Sequence, residues 1–119
     1  MANVNETIAA LLGIDGATAV AIVDSSSGMV LGKGGTGVNL DVAAATTTDM
    51  LRTKLKLMKS LGLKDKLEDF LVTLDSQIHI IHPLVERPVL YIYAVVDMAR
   101  GNLAMARFRI NQIEAELQI

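Results

Sequence analysis

Apolar residues recur along most of this chain in one of two rhythms, and the stretch that obeys neither organises the rest. Val89 to Val96 is apolar on both parities. As a strand it would place Val89, Tyr91, Tyr93 and Val95 on one face and Leu90, Ile92, Ala94 and Val96 on the other. Both faces then need covering, so the run is read as an interior strand with helices on each side of its sheet. Its β-branched and aromatic content, with Pro88 before it and Asp97 after, favours a strand over a buried helix.

The remaining segments arrange themselves before and after this strand. Asn3 and Glu6 have the spacing of a capping box, and Val4, Ile8, Leu11 and Leu12 share one face of a short helix that Gly13 ends. Ala17 to Asp24 and Met29 to Gly32 read as a hairpin through Ser25-Ser26-Ser27-Gly28. The three serines are turn residues rather than a nucleophile, because no histidine lies near them in sequence to serve as base.

A long helix is expected from Asn39 or Asp41 to Leu61, before Gly62. Leu40, Ala44, Leu51, Leu55 and Met58 form one apolar stripe; Ala43, Met50, Leu57 and Leu61 form a second, displaced from it. Together they are wider than a helix resting on one sheet requires, so the excess faces something else. Lys54 lies near the middle of that arc, as a snorkelling stem or as a contact to another subunit. Arg52, Lys56 and Lys59 occupy the opposite, wet face.

Leu67 to Leu74, Gln77 to Leu84 and Val89 to Val96 then read as an antiparallel meander, and Glu68 and Asp69 near its start suit an edge strand. His79 and His82 are three apart in a strand, hence on opposite faces, and are not expected to share a metal. Asp97 is the candidate cap of a last helix in which Leu103, Ala106, Ile110, Ile113 and Leu117 repeat on one face. Arg107, Arg109, Glu114 and Glu116 read as its solvated side, and Gly101 as a weak spot in its first turn.

Composition adds four constraints. A hydrophobic content of 51% and mean hydropathy of +0.42 are high for a soluble monomer of one 119-residue domain, so surplus apolar surface is expected to be hidden in an oligomer. No run reaches the ~20 apolar residues of a membrane span, and Asn3, Asn5 and Glu6 interrupt any signal peptide, so a cytoplasmic protein is expected. Absence of cysteine removes disulfide and thiolate chemistry. The net charge of -2 conceals a basic cluster, Arg52, Lys54, Lys56, Lys59, Lys64 and Lys66, opposed there only by Asp65. With two tyrosines and two phenylalanines in the whole chain, this cluster lacks the stacking partners of a nucleic-acid surface.

Gly32 to Gly37 satisfies the Gly-x-Gly-x-x-Gly fingerprint, and Gly28 to Lys33 approximates a phosphate loop. The first needs a parallel βαβ unit and an acidic residue about 20 positions on; residues 52 to 60 are basic or neutral. The second lacks one residue between its glycines and has Gly34 where a magnesium ligand belongs. No cofactor is expected, and residues 32 to 37 read as a mobile edge loop. A nucleotide-using enzyme built on them is the least favoured reading.

The order helix, two strands, long helix, three strands, helix carries a resemblance. Gly13-Ile14-Asp15-Gly16 leading into Val20 to Asp24, the Ser-Gly turn, Leu71 to Leu74 before Gln77 to Ile81, and Asp97 to Arg107 resemble the roadblock family. That family comprises dynein light chains and regulators or scaffolds of small Ras-like GTPases. The resemblance implies an α/β (α+β), profilin-like three-layer sandwich: a five-stranded antiparallel sheet in the order 2-1-5-4-3, with the long helix on one face and the terminal helices on the other. It also implies a homodimer in which third strands pair edge to edge and long helices lie side by side. The expected interface is Ala43, Met50, Lys54, Leu57, Leu61, Asp69, Leu71 and Thr73, and the expected partner-binding residues are Arg52, Lys56 and Lys59. The function so implied is a non-enzymatic module that binds a small Ras-like GTPase; the alternative is a light-chain adaptor clasping a peptide of a larger assembly.

Overall fold

The computed structural model of the chain describes residues 1–118. Its elements are α1 (Val4–Leu12), β1 (Ala17–Asp24), β2 (Met29–Gly35), α2 (Leu40–Ser60), β3 (Phe70–Thr73), β4 (Gln77–Pro83), β5 (Leu90–Asp97) and α3 (Leu103–Glu116). The strands form one antiparallel sheet in the order β2-β1-β5-β4-β3. The strand whose two apolar faces demanded an interior position is therefore the central one. Every residue of it from Leu90 to Val96 is buried; only Val89, which precedes it, is exposed.

Parity along the strands divides the core in two. Val20, Ile22, Ile78, Ile80, Leu90, Ile92, Ala94 and Val96 meet Ile8 and Leu11 of α1 and Ala106, Ile110 and Ile113 of α3. Ala19, Ala21, Val23, Ile81, Tyr91, Tyr93 and Val95 meet Leu40, Ala44 and Leu51 of α2. This is the three-layer sandwich, with α2 alone on one face. The expected capping box opens α1: Asn3 Oδ1 accepts from the Glu6 amide at 2.8 Å and Glu6 Oε1 from the Asn3 amide at 3.1 Å.

Several boundaries and roles differ from the sequence reading, each for a physical reason. Strand β2 continues to Gly35, so most of the glycine segment is sheet rather than mobile loop. Gly32 and Gly34 lie under α1: a Cβ on Gly32 would come within 2.4 Å of Val4 Cγ1, and one on Gly34 within 2.7 Å of Leu12 Cδ1. Their missing side chains let the helix rest on the strand.

Strand β3 is shorter than the run from Leu67 to Leu74. Its register pairs Phe70 with Ile81, so one more step sets Asp69 opposite His82 and the next sets Glu68 opposite Pro83, which has no N–H to offer. Helix α3 is capped by Asn102, whose side chain accepts from the Met105 amide at 2.8 Å, and not by Asp97. Asp97 instead closes the preceding turn, accepting from the Ala99 amide and from Arg100. Gly101 thus lies outside the helix, where a Cβ would fall 2.2 Å from the Asp15 carbonyl oxygen; it allows the α1–β1 turn and the approach to α3 to cross.

Candidate interaction surface

Helix α2 lies on the sheet for only part of its length. Leu40, Ala44, Thr47, Thr48 and Leu51 are buried, and beyond Leu51 no α2 residue is. Leu55 and Met58, expected in the buried stripe, are 44% exposed and half-buried respectively. The second stripe is likewise uncovered: Met50 is 40%, Leu57 46% and Leu61 63% exposed, while Ala43 is half-buried against the core. Lys54 is exposed.

Beside this tail runs β3, which pairs only with β4 and leaves its other edge open. Phe70 and Val72 turn toward the α2 face of the sheet, and Leu71 and Thr73 toward the α3 face, both exposed. Lys54, Met58, Leu63, Asp69, Leu71 and Arg107 line one cleft between α2, residues 61–69 and α3. The tail of α2 and the edge strand therefore meet at one open cleft whose apolar side chains stand among both bases and acids.

Asp69, expected at an interface, has its carboxylate bound within the chain. Oδ1 accepts from His82 Nδ1 at 2.8 Å and Oδ2 from Arg107 Nε at 2.6 Å. His82 Nε2 contacts Glu114 Oε1 at 2.5 Å, and Glu114 Oε2 accepts from the Val85 amide at 2.6 Å. The side chains of Asp69, His82 and Glu114 are 10%, 7% and 11% exposed. Burial opposes a charge on His82, but its hydrogen bonds to Asp69 and Glu114 outweigh that and raise its pKa above the ordinary 6.5. Burial likewise pushes the Asp69 pKa up, and the His82 and Arg107 contacts outweigh it, holding the carboxyl below its ordinary 3.8.

The periodicity that assigned Glu114 to solvent missed this cluster, which Arg107, 45% exposed as expected of the solvated side, reaches through Asp69. The usable signal was that both flank the apolar stripe of α3 two turns apart, so they stack along one side of the helix. Arg109 does face outward, bonding Gln112, and Glu116 meets the chain's amino group.

His79, on the other face of β4 as the spacing required, has different chemistry. Its Nδ1 lies 2.9 Å from the Tyr93 hydroxyl and its Nε2 2.9 Å from Gln77 Oε1. One nitrogen accepts and the other donates, as in a neutral ring, and burial lowers its pKa. The three serines are also accounted for: Ser25 Oγ donates to the Val89 carbonyl, Ser26 Oγ to Asp24, and Ser27 Oγ accepts from the Met29 amide.

The basic residues separate into two kinds. The Arg52 guanidinium donates to the carbonyls of Ser25 and Ser26 and so closes the β1–β2 turn. Lys54, Lys56, Lys59, Lys64 and Lys66 are exposed, and none forms an ion pair among the described residues. Lys33, in the glycine segment, pairs with Asp41 at 2.7 Å. Among the described residues no helix is long and apolar enough to cross a membrane.

Solved structures that share this arrangement include the following three. A Roadblock/LC7 domain from Streptomyces avermitilis superposes with a TM-score of 0.81 at 12% identity, covering 96% of this chain and 93% of its own. The gliding protein MglB of Thermus thermophilus gives 0.79 at 16% identity, covering 93% and 82%. MglB of Myxococcus xanthus gives 0.78 at 17%, covering 92% and 89%. No protein-family profile and no curated protein matches the sequence. The fold is that of a Roadblock/LC7 domain.

Proposed function

We propose that this chain is a non-enzymatic homodimeric module that binds a small Ras-like GTPase and regulates or scaffolds it. The observation that carries the reading is the open β3 edge beside the uncovered apolar tail of α2, in a fold shared with the gliding protein MglB. An unpaired edge and exposed leucines on one surface favour pairing with a second copy, strand to strand and helix to helix. That pairing uses Ala43, Met50, Lys54 and Leu57 on α2, Leu61 just after it, and Leu71 and Thr73 on β3. Asp69 supports the edge from within rather than meeting the partner.

Dimerisation by the paired long helices would gather two copies of Lys56 and Lys59 on one face. Such charge steers encounter with an acidic surface more than it fixes affinity. Regulation additionally requires different affinities for the GTPase's two nucleotide states, since a partner that prefers neither shifts nothing.

The test uses a Ras-like GTPase recovered with the tagged protein from its native host, loaded with GDP or with a non-hydrolysable GTP analogue. The affinities are expected to differ, and Lys56→Ala with Lys59→Ala is expected to slow association at low salt and not at high salt. Arg52 is left intact because it closes a turn. Equal affinities would leave a scaffold only. Unchanged rates would move the docking site off α2. Recovery of a motor or signalling subunit in place of a GTPase would favour the light-chain reading, for which the second open edge, β2 with Met29 and Leu31 exposed, offers a place for an added strand.

A further inference from the structure

The Asp69–His82–Glu114–Arg107 cluster does more than satisfy buried groups, because it ties the start of β3 and the end of β4 to α3. Asp69 immediately precedes β3, His82 is near the end of β4, Glu114 and Arg107 are on α3, and Glu114 also holds the Val85 amide of the β4–β5 loop. Strand β3 has four residues and one neighbour, so it depends on what anchors its ends.

Both ring nitrogens of His82 face a carboxylate oxygen. An imidazolium donates to both; a neutral ring has one N–H, and its other nitrogen then turns a lone pair toward an acceptor. Protonated, His82 and Arg107 balance Asp69 and Glu114. Deprotonated, the group, buried except for the half-exposed Arg107, carries one uncompensated negative charge. The adjoining clefts add Asp65, Glu68 and Glu86 against Lys54, Lys66 and Arg87, which balance, and the cross-strand neighbour on β5 is Ile92, which adds no charge.

We propose that His82 is a proton-dependent latch: as an imidazolium it fastens the start of β3 and the loop after β4 to α3, and as a neutral ring it releases both. Where β3 pairs with a second copy, release loosens that pairing as well; this consequence, unlike the latch itself, rests on the self-association proposed above.

The experiment follows the His82 ring by heteronuclear NMR across a pH series and, in the same samples, amide exchange at Val85 and at Phe70 to Thr73 corrected for base catalysis. The ring is expected to stay doubly protonated through its ordinary midpoint of 6.5. As it finally titrates, exchange at those amides is expected to rise roughly tenfold or more, as loss of a hydrogen bond to a charged group implies. Glu114→Gln should lower the ring's midpoint and carry the exchange rise down with it. Asp69→Asn, which acts from the other side of the ring, should do the same if the first variant folds poorly. A midpoint at or below 6.5, or exchange that does not follow the ring, overturns the latch. Sedimentation at the same pH values separates the two proposals. Protection that follows the ring in a chain monomeric throughout keeps the latch and removes the dimer; a dimer in which the two part company does the reverse.

Discussion

Tyr91 is fully buried at the centre of the sheet, and its hydroxyl must find partners there. It donates to the Ala44 carbonyl at 3.1 Å and lies 2.9 Å from Thr48 Oγ1, which therefore donates to it. Burial raises the Tyr91 pKa, so the phenol stays neutral and keeps that donor. Tyr91→Phe is expected to cost about 1 kcal/mol and no more, because the freed Thr48 hydroxyl can turn to the carbonyl four residues back, again that of Ala44. Urea unfolding measures it, and a loss of about 3 kcal/mol would point to disturbed packing instead. Alternation placed Tyr91 and Tyr93 on one buried face from the sequence. It could not supply their partners, because Thr48 lies 43 residues from Tyr91 and only the tertiary fold unites them. The same limit hid the His82 cluster, whose two carboxylates are 13 and 32 residues from the histidine. Spacing within one strand settled what needed no partner, namely that His79 and His82 point apart.

At the scale of elements, the glycines of β2 show how one pattern can carry two meanings. Gly32 to Gly37 matches a dinucleotide fingerprint, yet two of its members face α1 and a third, Gly35, has φ +93° with its α-carbon against Thr18 and Ala19. The two kinds of position predict different costs. In Gly34→Ala the new methyl meets the end of Leu12, which can turn aside, and the Cγ2 methyl of Ile8, whose β-branch is stiffer, so a loss of about 1–3 kcal/mol is expected. In Gly35→Ala it meets the Thr18 carbonyl oxygen at 2.1 Å in a backbone conformation that disfavours any side chain, so the loss should be clearly larger. Thermal unfolding of the two variants ranks them, and a reversed order would mean that Gly35 is not held against the Thr18 carbonyl as described. The start of α1, by contrast, was readable because Asn3 stands directly before the periodic apolar residues, and that of α2 to within two residues, Asn39 rather than Asp41 being the cap. The start of α3 was not, since Asp97 and Asn102 are both good caps and the crossing of Gly16 and Gly101 decides between them.

At the scale of the whole molecule, an interior strand with two apolar faces fixed the centre of the sheet, but nothing within one chain states what covers its outer edge. Leu57 offers a clean test because it is 46% exposed in the protomer and distant from the core. In a monomer, Leu57→Asp would change an exposed helix position, and stability should move by no more than about 0.5 kcal/mol. In a dimer that buries Leu57 the same carboxylate would be desolvated without a partner, at a cost of several kcal/mol. That cost can appear only through association, so it has a signature that a folding defect lacks: the variant should sediment as a monomer, and the concentration dependence of the wild-type Tm should vanish with it. Met29→Asp, on the strand at the far end of the sheet, is the matched control and should leave both unchanged. If the wild-type chain is monomeric at micromolar concentration and Leu57→Asp is as mild as Met29→Asp, the uncovered face of α2 is not a self-association surface. The exposed leucines and the open β3 edge would then be free to receive a different partner, and the five exposed lysines beside them would bear on that partner alone.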